Sequence, residues 1–409
     1  MPLISLSAPA PSPSPATDTA VQDALADRGD WISSYWVAGA ALALGVLLVV
    51  LAVRAMRRRR ARRMQAAAAG TRAPRGPRSW PYWVAAVVAL LLGLGIGVNA
   101  WVGYIDNVDG LWRQLGYTSG SAVVDPTGTA THEADATVAT ISTPLPTGKG
   151  ASGTVTITAP AALDMPTPQA PTWVYTPPGY DPSGKILYPV IYLHHGSPGD
   201  SADWFSSGLP AVMDALITTG KLRPSIAVAA DHNAKGTDES DCLNSDHGGS
   251  QVETYLEDVV VPWVDAHYPV APGYQYTAVG GMSEGGYCAV DQGLNHLDIY
   301  GTILGLMPYD SPGTSQLTHP TDLDKHLVLK YVPTMQFPHP VAVFLAYGSE
   351  DSETKGQAKL ISAALEARGQ QVTVVVNPGQ GHTWNEAITA VAPGLEFWEA
   401  AMTTFEKTS

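Results

Sequence analysis

The chain has 409 residues, of which 45% are hydrophobic and 15% charged, and its formal net charge is -14. A chain of this length is long enough for two or three domains with a large buried core. The excess of acidic residues excludes nucleic acid as a partner, because nucleic-acid binding relies on a basic surface.

Two long uncharged segments in the N-terminal quarter predict membrane-spanning helices. They cover residues 31–53 and 81–104, and Trp and Tyr residues flank both of them. At about 1.5 Å per residue, either segment can cross a hydrocarbon core of roughly 30 Å. The alternative is a pair of buried core helices, which rarely remain uncharged over such a length. Residues 1–30, rich in Pro, Ser and Ala, predict a disordered external tail.

The segment between the two spans contains ten arginines and no acidic residue. A short basic loop stays in the cytoplasm under the positive-inside rule. We therefore expect residues 54–80 to form a cytoplasmic loop, with both termini and everything after residue 104 outside the cell membrane. An alternative reads the second apolar run as a signal peptide cleaved near residue 100. That run exceeds the usual core of roughly 7–15 residues, and the first span would then be unexplained.

The remainder of the chain predicts an external linker, residues 105–150, followed by a catalytic domain, residues 151–409. Residues 104–409 contain 33 of the 37 acidic residues and 12 of the 23 basic ones, a surface that would attract cations. Short apolar segments alternate with helical patterns, and strands are predicted at 154–157, 172–175, 190–193, 225–230, 275–279, 341–346 and 372–376. This alternation predicts an α/β fold with a doubly wound, mostly parallel sheet.

A serine nucleophile is predicted at Ser283. It is the centre of the sequence Gly-Met-Ser-Glu-Gly at 281–285, directly after a predicted strand and before a predicted helix. The G-x-S-x-G spacing in this context is typical of the sharp turn that exposes a nucleophilic serine above an α/β sheet.

The serine needs a base, and the base needs an acid to orient it. His382 follows a strand by a short Gly-rich loop and precedes the last helix, which is where the base of such a fold lies. The other histidines after the serine are expected to be structural or on the surface: His296, His319, His326 and His339. Asp351, three residues after Gly348 at a strand end, is the favoured acid, and Glu350 is the alternative.

Two backbone N–H groups should stabilise the oxyanion of the tetrahedral intermediate. The first is that of Glu284, directly after the nucleophile. The second is expected from the loop His-His-Gly-Ser-Pro-Gly at 194–199, which follows an early central strand, and we assign it to Ser197.

These motifs resemble the esterase D-like family of α/β-hydrolases, to which enterochelin esterases, feruloyl esterases and mycolyltransferases belong. The resemblance covers roughly residues 150–405 and rests on the nucleophile turn at 281–285 and on further matching segments: 176–181, 192–196, 203–204, 253–256 and 381–384. It implies Ser283, Asp351 and His382 as the catalytic triad. The two spans resemble those of membrane-anchored actinobacterial members, some of which are linked to hydrolysis of aminoacylated phosphatidylglycerol.

The remaining candidates are two cysteines, an acidic loop and two tryptophans. In an external compartment, Cys242 and Cys288 are candidates for a disulfide, the alternative being a buried free Cys288. The acidic loop at 231–247 is interpreted as a lid with substrate contacts. Its spacing matches no zinc or calcium pattern, so neither metal nor cofactor is predicted. His195, Trp204 and Trp384 are candidate substrate-pocket residues, a core position being equally compatible with either Trp.

The sequence thus predicts a membrane-anchored extracytoplasmic serine esterase acting on carboxylic esters, with lipids or other envelope components as substrates. Transfer of the acyl group to an envelope sugar or lipid is the alternative reaction. A catalytically silent scaffold domain is the alternative of another class.

Overall fold

The computed structural model describes residues 21–23, 29–72, 78–115, 133, 135–236, 239–313 and 320–408. It divides the chain into two compact units. One comprises Gly29–Val108, and the other comprises Asp109–Ser409 together with the residues before Gly29. Most of the predicted tail and the middle of the predicted linker lie outside the described residues.

The smaller unit contains two long helices, α1 (Tyr35–Ala68) and α2 (Trp80–Val102). Their length and composition alone would let both cross a membrane, with mean hydropathies of 2.6 and 2.1 over their most apolar windows. Only 17% and 22% of those windows are buried. The apolar surface of both helices is therefore largely exposed, unlike that of a core helix.

Small residues allow the two helices to pack closely. A Cβ atom at Gly93 would lie 2.9 Å from the backbone nitrogen of Leu42, and one at Gly45 would lie 2.6 Å from Leu90 Cγ. At the end of α2, the Asn99 side chain donates to the carbonyl of Ile32 (3.0 Å) and accepts from the N–H of Ile105 (3.0 Å). Close approach of the backbones and hydrogen bonds from polar side chains are common in the packing of apolar helices.

The prediction of a loop over residues 54–80 is wrong for most of that segment. Helix α1 continues through the arginines to Ala68, so the connection between the helices is shorter than expected. Alanine, arginine, methionine and glutamine are strong helix formers, and nothing between Arg54 and Ala68 breaks the helix.

The larger unit is built on an eight-stranded sheet with helices packed against it. In chain order, the strands of this unit are β1 (Thr137–Val138), β2 (Ala151–Val155), β3 (Thr172–Thr176), β4 (Ile186–Leu187), β5 (Val190–His194), β6 (Ile226–Ala229), β7 (Thr277–Met282), β8 (Thr302–Leu306), β9 (Ala342–Gly348) and β10 (Gln371–Asn377). The eight-stranded sheet has the order β10-β9-β8-β7-β5-β6-β3-β2, with β2 and β3 antiparallel to their neighbours and the others parallel. Strands β1 and β4 pair with each other in a separate sheet.

The helices from Val108 onwards belong, apart from that first residue, to the larger unit, and several of them pack on the sheet. They are α3 (Val108–Gln114), α4 (Asp203–Ser206), α5 (Leu209–Thr218), α6 (Val252–Tyr255 and Val261–His267, joined by a π-helical turn at Leu256–Val260), α7 (Glu284–Asn295), α8 (Val328–Tyr331), α9 (Lys355–Glu366) and α10 (Trp384–Thr408). Helix α7 packs on β7 and β8, α10 on β8 and β9, and α9 on β9 and β10. Central strands β5, β7, β8 and β9 are buried along their whole length, as expected for a sheet covered on both faces.

The α/β prediction is confirmed, with two differences. Strand β8 was not predicted, although its five residues are all buried. Part of the predicted linker also belongs to the larger unit, because β1 pairs with β4 and the N–H of Gly150 donates to Asp214 (2.7 Å). A strand of two residues is too short to give a periodic signal in the sequence.

Candidate active site

Ser283 lies in the sharp turn between β7 and α7 and has φ +61° and ψ -120°. This backbone conformation is strained for a residue with a side chain. A Cβ atom at Gly281 would lie 1.9 Å from the carbonyl oxygen of Gly285, and one at Gly285 would lie 2.2 Å from that of His195. Both glycines of the motif are therefore required by contact with backbone, and the turn aims the serine out of the carboxyl edge of the sheet.

His382 connects the serine to a carboxylate. Its Nε2 lies 2.7 Å from Ser283 Oγ, and its Nδ1 lies 3.0 Å from Asp351 Oδ2. The three side chains come from loops after β7, β9 and β10, which meet at the carboxyl edge of the parallel sheet. The structure thus brings together the serine, the base and the favoured acid predicted from the sequence.

Asp351 is held as a carboxylate. Burial by itself would raise the pKa of its carboxyl group, but hydrogen bonds from His382, Thr354 and Glu353 outweigh that effect and hold the pKa well below its ordinary value. The backbone N–H groups of Glu353 and Thr354 donate to Oδ1 at 2.8 and 3.1 Å, and the Thr354 hydroxyl donates to Oδ2. A fixed anion here can orient the imidazole and stabilise its protonated form.

The competing candidates lie elsewhere. Glu350 is exposed, and its N–H donates to the carbonyl of Gln380 (2.9 Å). His326 is buried against Asp291 (2.8 Å), His296 pairs with Glu253 (3.0 Å), and His339 contacts the carbonyl of Leu297 (2.6 Å). His319 lies outside the described residues.

The two residues assigned to the oxyanion site flank the serine. Glu284 is the first residue of α7, so its N–H has no partner within the helix. Ser197 lies in the loop after β5, and a Cβ atom at Gly196 would lie 3.3 Å from Ser283 Cβ. The absence of a side chain at Gly196 lets this loop pass directly beside the nucleophile.

A cleft of about 300 Å³ opens above the serine. The described residues that line it are Ser197, Glu239, Asp241, Ser283, Glu284, Tyr309, Ser311, Pro312, Gly313 and Gln357. The Tyr309 ring lies 6.0 Å from that of His382, and its hydroxyl donates to Glu353 (3.0 Å). Burial, and then the Glu353 carboxylate, raise the pKa of Tyr309 to about 12, so the phenol stays protonated.

Sequence reasoning missed Tyr309 and Gln357 as cleft residues. Tyr309 follows β8, and recognising that strand would have placed the residue at the carboxyl edge of the sheet with the triad. Gln357 lies on α9 and has no distinguishing sequence signal. Asp241 belongs to the acidic loop that was interpreted as a lid, and the structure places it in the wall of the cleft.

The three pocket candidates, His195, Trp204 and Trp384, are buried and are not among the described residues that line the cleft. Trp204 and Trp384 are 0% and 4% exposed and meet edge to face with ring centroids 5.1 Å apart. The Trp204 indole donates to the carbonyl of His194 (2.8 Å). His195 is 1% exposed and stacks on His232 at 3.7 Å. Their contacts are with one another, with His232 and with the backbone of the loop after β5, so for both tryptophans the core position is the one observed.

Cys242 and Cys288 form a disulfide with a Cα–Cα distance of 5.6 Å. The loop that contains Glu239 and Asp241, two residues that line the cleft, is joined by this bond to helix α7, which begins at the nucleophile turn. The sulfur of Cys242 lies within 4.8 Å of ring nitrogens of His194 and His232. A disulfide sulfur is not the thiolate that binds metal, so this cluster does not fit a metal site in the oxidised protein.

The matches to known proteins centre on this larger unit. Residues 169–403 match the family model described as "Putative esterase". A Corynebacterium glutamicum protein described as uncharacterized is 30% identical over 149 residues, 36% of this chain and 34% of its own length. An endo-1,4-beta-xylanase/feruloyl esterase of Xylanibacter ruminicola is 26% identical over 232 residues, 54% of this chain and 28% of its own. The matches therefore span only about a third of these relatives.

Solved structures show the same fold. A ferulic acid esterase, 22% identical, aligns over 62% of this chain and 100% of its own with a TM-score of 0.54. An S-formylglutathione hydrolase from Agrobacterium tumefaciens, 14% identical, aligns over 62% and 96% with a TM-score of 0.52. Because the family model covers more than half of the 409 residues, the chain belongs to this esterase family, and its matched region is an α/β-hydrolase domain of the carboxylic ester hydrolase class.

Proposed function

We propose that the chain is a membrane-anchored serine esterase in which Ser283, His382 and Asp351 are the catalytic triad. The observation that carries this proposal is the unbroken hydrogen-bonded series from Ser283 Oγ through His382 to the buried Asp351, at the floor of an open cleft. A serine hydroxyl needs such a base and orienting acid to attack a carbonyl at neutral pH.

The geometry supports a two-step reaction. Ser283 Oγ bonds to the ester carbonyl carbon while His382 Nε2 takes its proton, and the N–H groups of Ser197 and Glu284 hold the oxyanion. Collapse of this intermediate breaks the ester bond, and His382 gives its proton to the departing alcohol. A water molecule then attacks the carbonyl carbon of the acyl-enzyme while His382 takes a proton from that water. The bond to Ser283 Oγ breaks, the carboxylic acid leaves, and His382 returns the proton to Ser283 Oγ.

The apolar helices α1 and α2 support membrane anchoring, and the basic end of α1 supports a cytoplasmic connection with the esterase unit outside. A tethered esterase would act on substrates at the membrane surface. We therefore propose envelope lipid esters as substrates, with aminoacylated phosphatidylglycerol as a specific candidate. A lipid with a cationic headgroup would suit the three carboxylates that line the cleft.

The topology is tested with two single cysteines, Thr147→Cys and Ala68→Cys, at exposed positions after α2 and at the end of α1. A membrane-impermeant maleimide applied to intact cells should label the Thr147 variant, and the Ala68 variant only after lysis. Labelling of the Ala68 variant in intact cells would refute the proposed orientation.

The chemistry is tested with a fluorophosphonate probe on the full chain in detergent. The probe should label the wild type and leave Ser283→Ala unlabelled. Equal labelling of both would refute Ser283 as the nucleophile, and labelling of neither would favour a silent domain. Addition of glycerol or a disaccharide during turnover separates hydrolysis, which gives free acid, from transfer to the acceptor, which gives an acylated product.

A further inference from the structure

The cleft above Ser283 is lined by acidic side chains. Of its ten described lining residues, three are carboxylates, Glu239, Asp241 and Glu284, and none is Lys or Arg. An acidic lining by itself is common on a negatively charged protein, so the inference depends on how the innermost carboxylate is held.

Glu284 is 6% exposed, and only one of its carboxylate oxygens is satisfied. Its Oε1 accepts from the N–H groups of Ser240 (3.1 Å) and Asp241 (2.8 Å). Its Oε2 is buried and has no hydrogen-bond partner among the described residues. Burial, and then the nearby Asp241 carboxylate, raise the pKa of Glu284 to about 7. Above that pH the site holds a poorly compensated buried charge, which is costly.

This charge also lies where the reaction disfavours it. The N–H of Glu284 is assigned to stabilise the oxyanion, and a carboxylate on the same residue opposes negative charge that develops nearby. A positive group bound at the carboxylate would remove this opposition. A neutral substrate would leave it in place.

Asp241 extends the acidic surface next to Glu284. It is 6% exposed, and its Oδ2 accepts from the N–H of Gly313 (3.0 Å), another cleft residue. It has φ +50°, followed by Cys242 at φ +56°, which is unusual for side-chain-bearing residues. The Cys242–Cys288 disulfide fastens this loop to α7. The structure thus holds two carboxylates together at a position where electrostatics alone would separate them.

We propose that Glu284 and Asp241 form an anionic subsite that binds a cationic group of the ester substrate beside the scissile carbonyl. This inference rests on the proposed esterase function and names its substrate class. Glu239, which accepts from the Ser197 hydroxyl (3.3 Å) and is exposed at the rim, adds to the attraction. A cation bound in the cleft would compensate the negative charge of Glu284, whose Oε2 has no hydrogen-bond partner among the described residues.

The test compares matched esters that differ only in charge. L-alanine ethyl ester against L-lactate ethyl ester places the cation on the acyl side, and acetylcholine against 3,3-dimethylbutyl acetate places it on the alcohol side. The wild type should prefer the cationic member of at least one pair by about tenfold or more in kcat/KM, and the preference should fall as salt is added.

The decisive variant is Glu284→Gln, which keeps an oxygen to accept from Ser240 and Asp241 and removes the charge. It should lower the ratio of kcat/KM for the cationic over the neutral ester by about tenfold. Asp241→Asn should lower it in the same direction. Asp258→Asn, which removes an exposed carboxylate on α6, is the matched control for net charge and should leave the ratio unchanged.

The outcomes separate the two proposals. Equal use of charged and neutral esters by the wild type, or the same ratio in Glu284→Gln, would overturn the anionic subsite while leaving the esterase function intact. If Glu284→Gln loses fluorophosphonate labelling, the ratio measured for Asp241→Asn decides, and an unchanged ratio in that variant would overturn the subsite. Hydrolysis that persists in Ser283→Ala would overturn the esterase mechanism itself.

Discussion

Replacement of Cys242 and Cys288 by serine should destabilise the larger unit substantially. Both residues are fully buried, and the bond closes a loop with a sequence separation of 46 residues. In the chain-entropy model, loss of a cross-link of this span costs roughly 4 kcal/mol at 25 °C. The loop that contains Asp241 and Cys242 at positive φ also loses its covalent link to α7, and only hydrogen bonds such as those from Ser240 and Asp241 to Glu284 remain.

The assay is guanidinium unfolding of the full chain in detergent, followed by tryptophan fluorescence. The double serine variant is compared with the oxidised wild type, with the wild type unfolded in the presence of a reductant, and with a double alanine variant that adds no buried hydroxyl. We expect the variants and the reduced wild type to lose similar amounts of unfolding free energy. A loss below about 1 kcal/mol would refute the reasoning that the bond restrains the unfolded chain.

Three further predictions concern the triad and its surroundings. Asp351→Asn should lower kcat by about 10⁴ with little change in KM, because the amide cannot fix the His382 tautomer; initial rates test this, and a loss below tenfold would contradict it. Gly285→Ala should prevent folding, since its Cβ would lie 2.2 Å from the carbonyl oxygen of His195; circular dichroism and fluorophosphonate labelling decide, and a folded, labelled variant would disprove the backbone contact. Burial, and more weakly the Asp351 charge, raise the pKa of Glu386 to about 8, although a hydrogen bond from Asn377 partly lowers it. The folded chain therefore keeps a proton that the unfolded chain releases, and the free energy of unfolding should fall as pH rises from 5 to 8. Glu386→Gln should remove roughly 3 kcal/mol of that fall, as measured by denaturant titrations at several pH values; an unchanged slope would show that Glu386 is ionised in the folded state.

Local patterns were sufficient where the chemistry is confined to a few residues. The nucleophile turn could be predicted because the strand, the two glycines and the helix are consecutive in the chain, and the backbone contacts at Gly281 and Gly285 explain the spacing. His382 could be singled out because it alone follows a strand by a short loop and precedes the last helix. The helical arginines after residue 53 were wrongly predicted to form a loop, because charge patterning indicates location more directly than conformation.

Side-chain environment was harder to predict. Trp204 and Trp384 lie next to catalytic motifs in sequence, yet both pack in the core, because proximity along the chain does not determine which side of a loop a ring faces. Glu284 was predicted only for its backbone N–H. Its carboxylate could be interpreted only once Ser240 and Asp241, more than 40 positions earlier, were seen to donate to it.

Composition and motif order therefore determined the two apolar helices, the alternating α/β pattern and the order of nucleophile, acid and base. These properties depend on short-range periodicity and on turns of a few residues. Only the tertiary structure decided which carboxylate meets His382, which residues line the cleft and which rings are core. These features depend on how strands distant in sequence meet at one edge of the sheet, and on burial that only the assembled layers create.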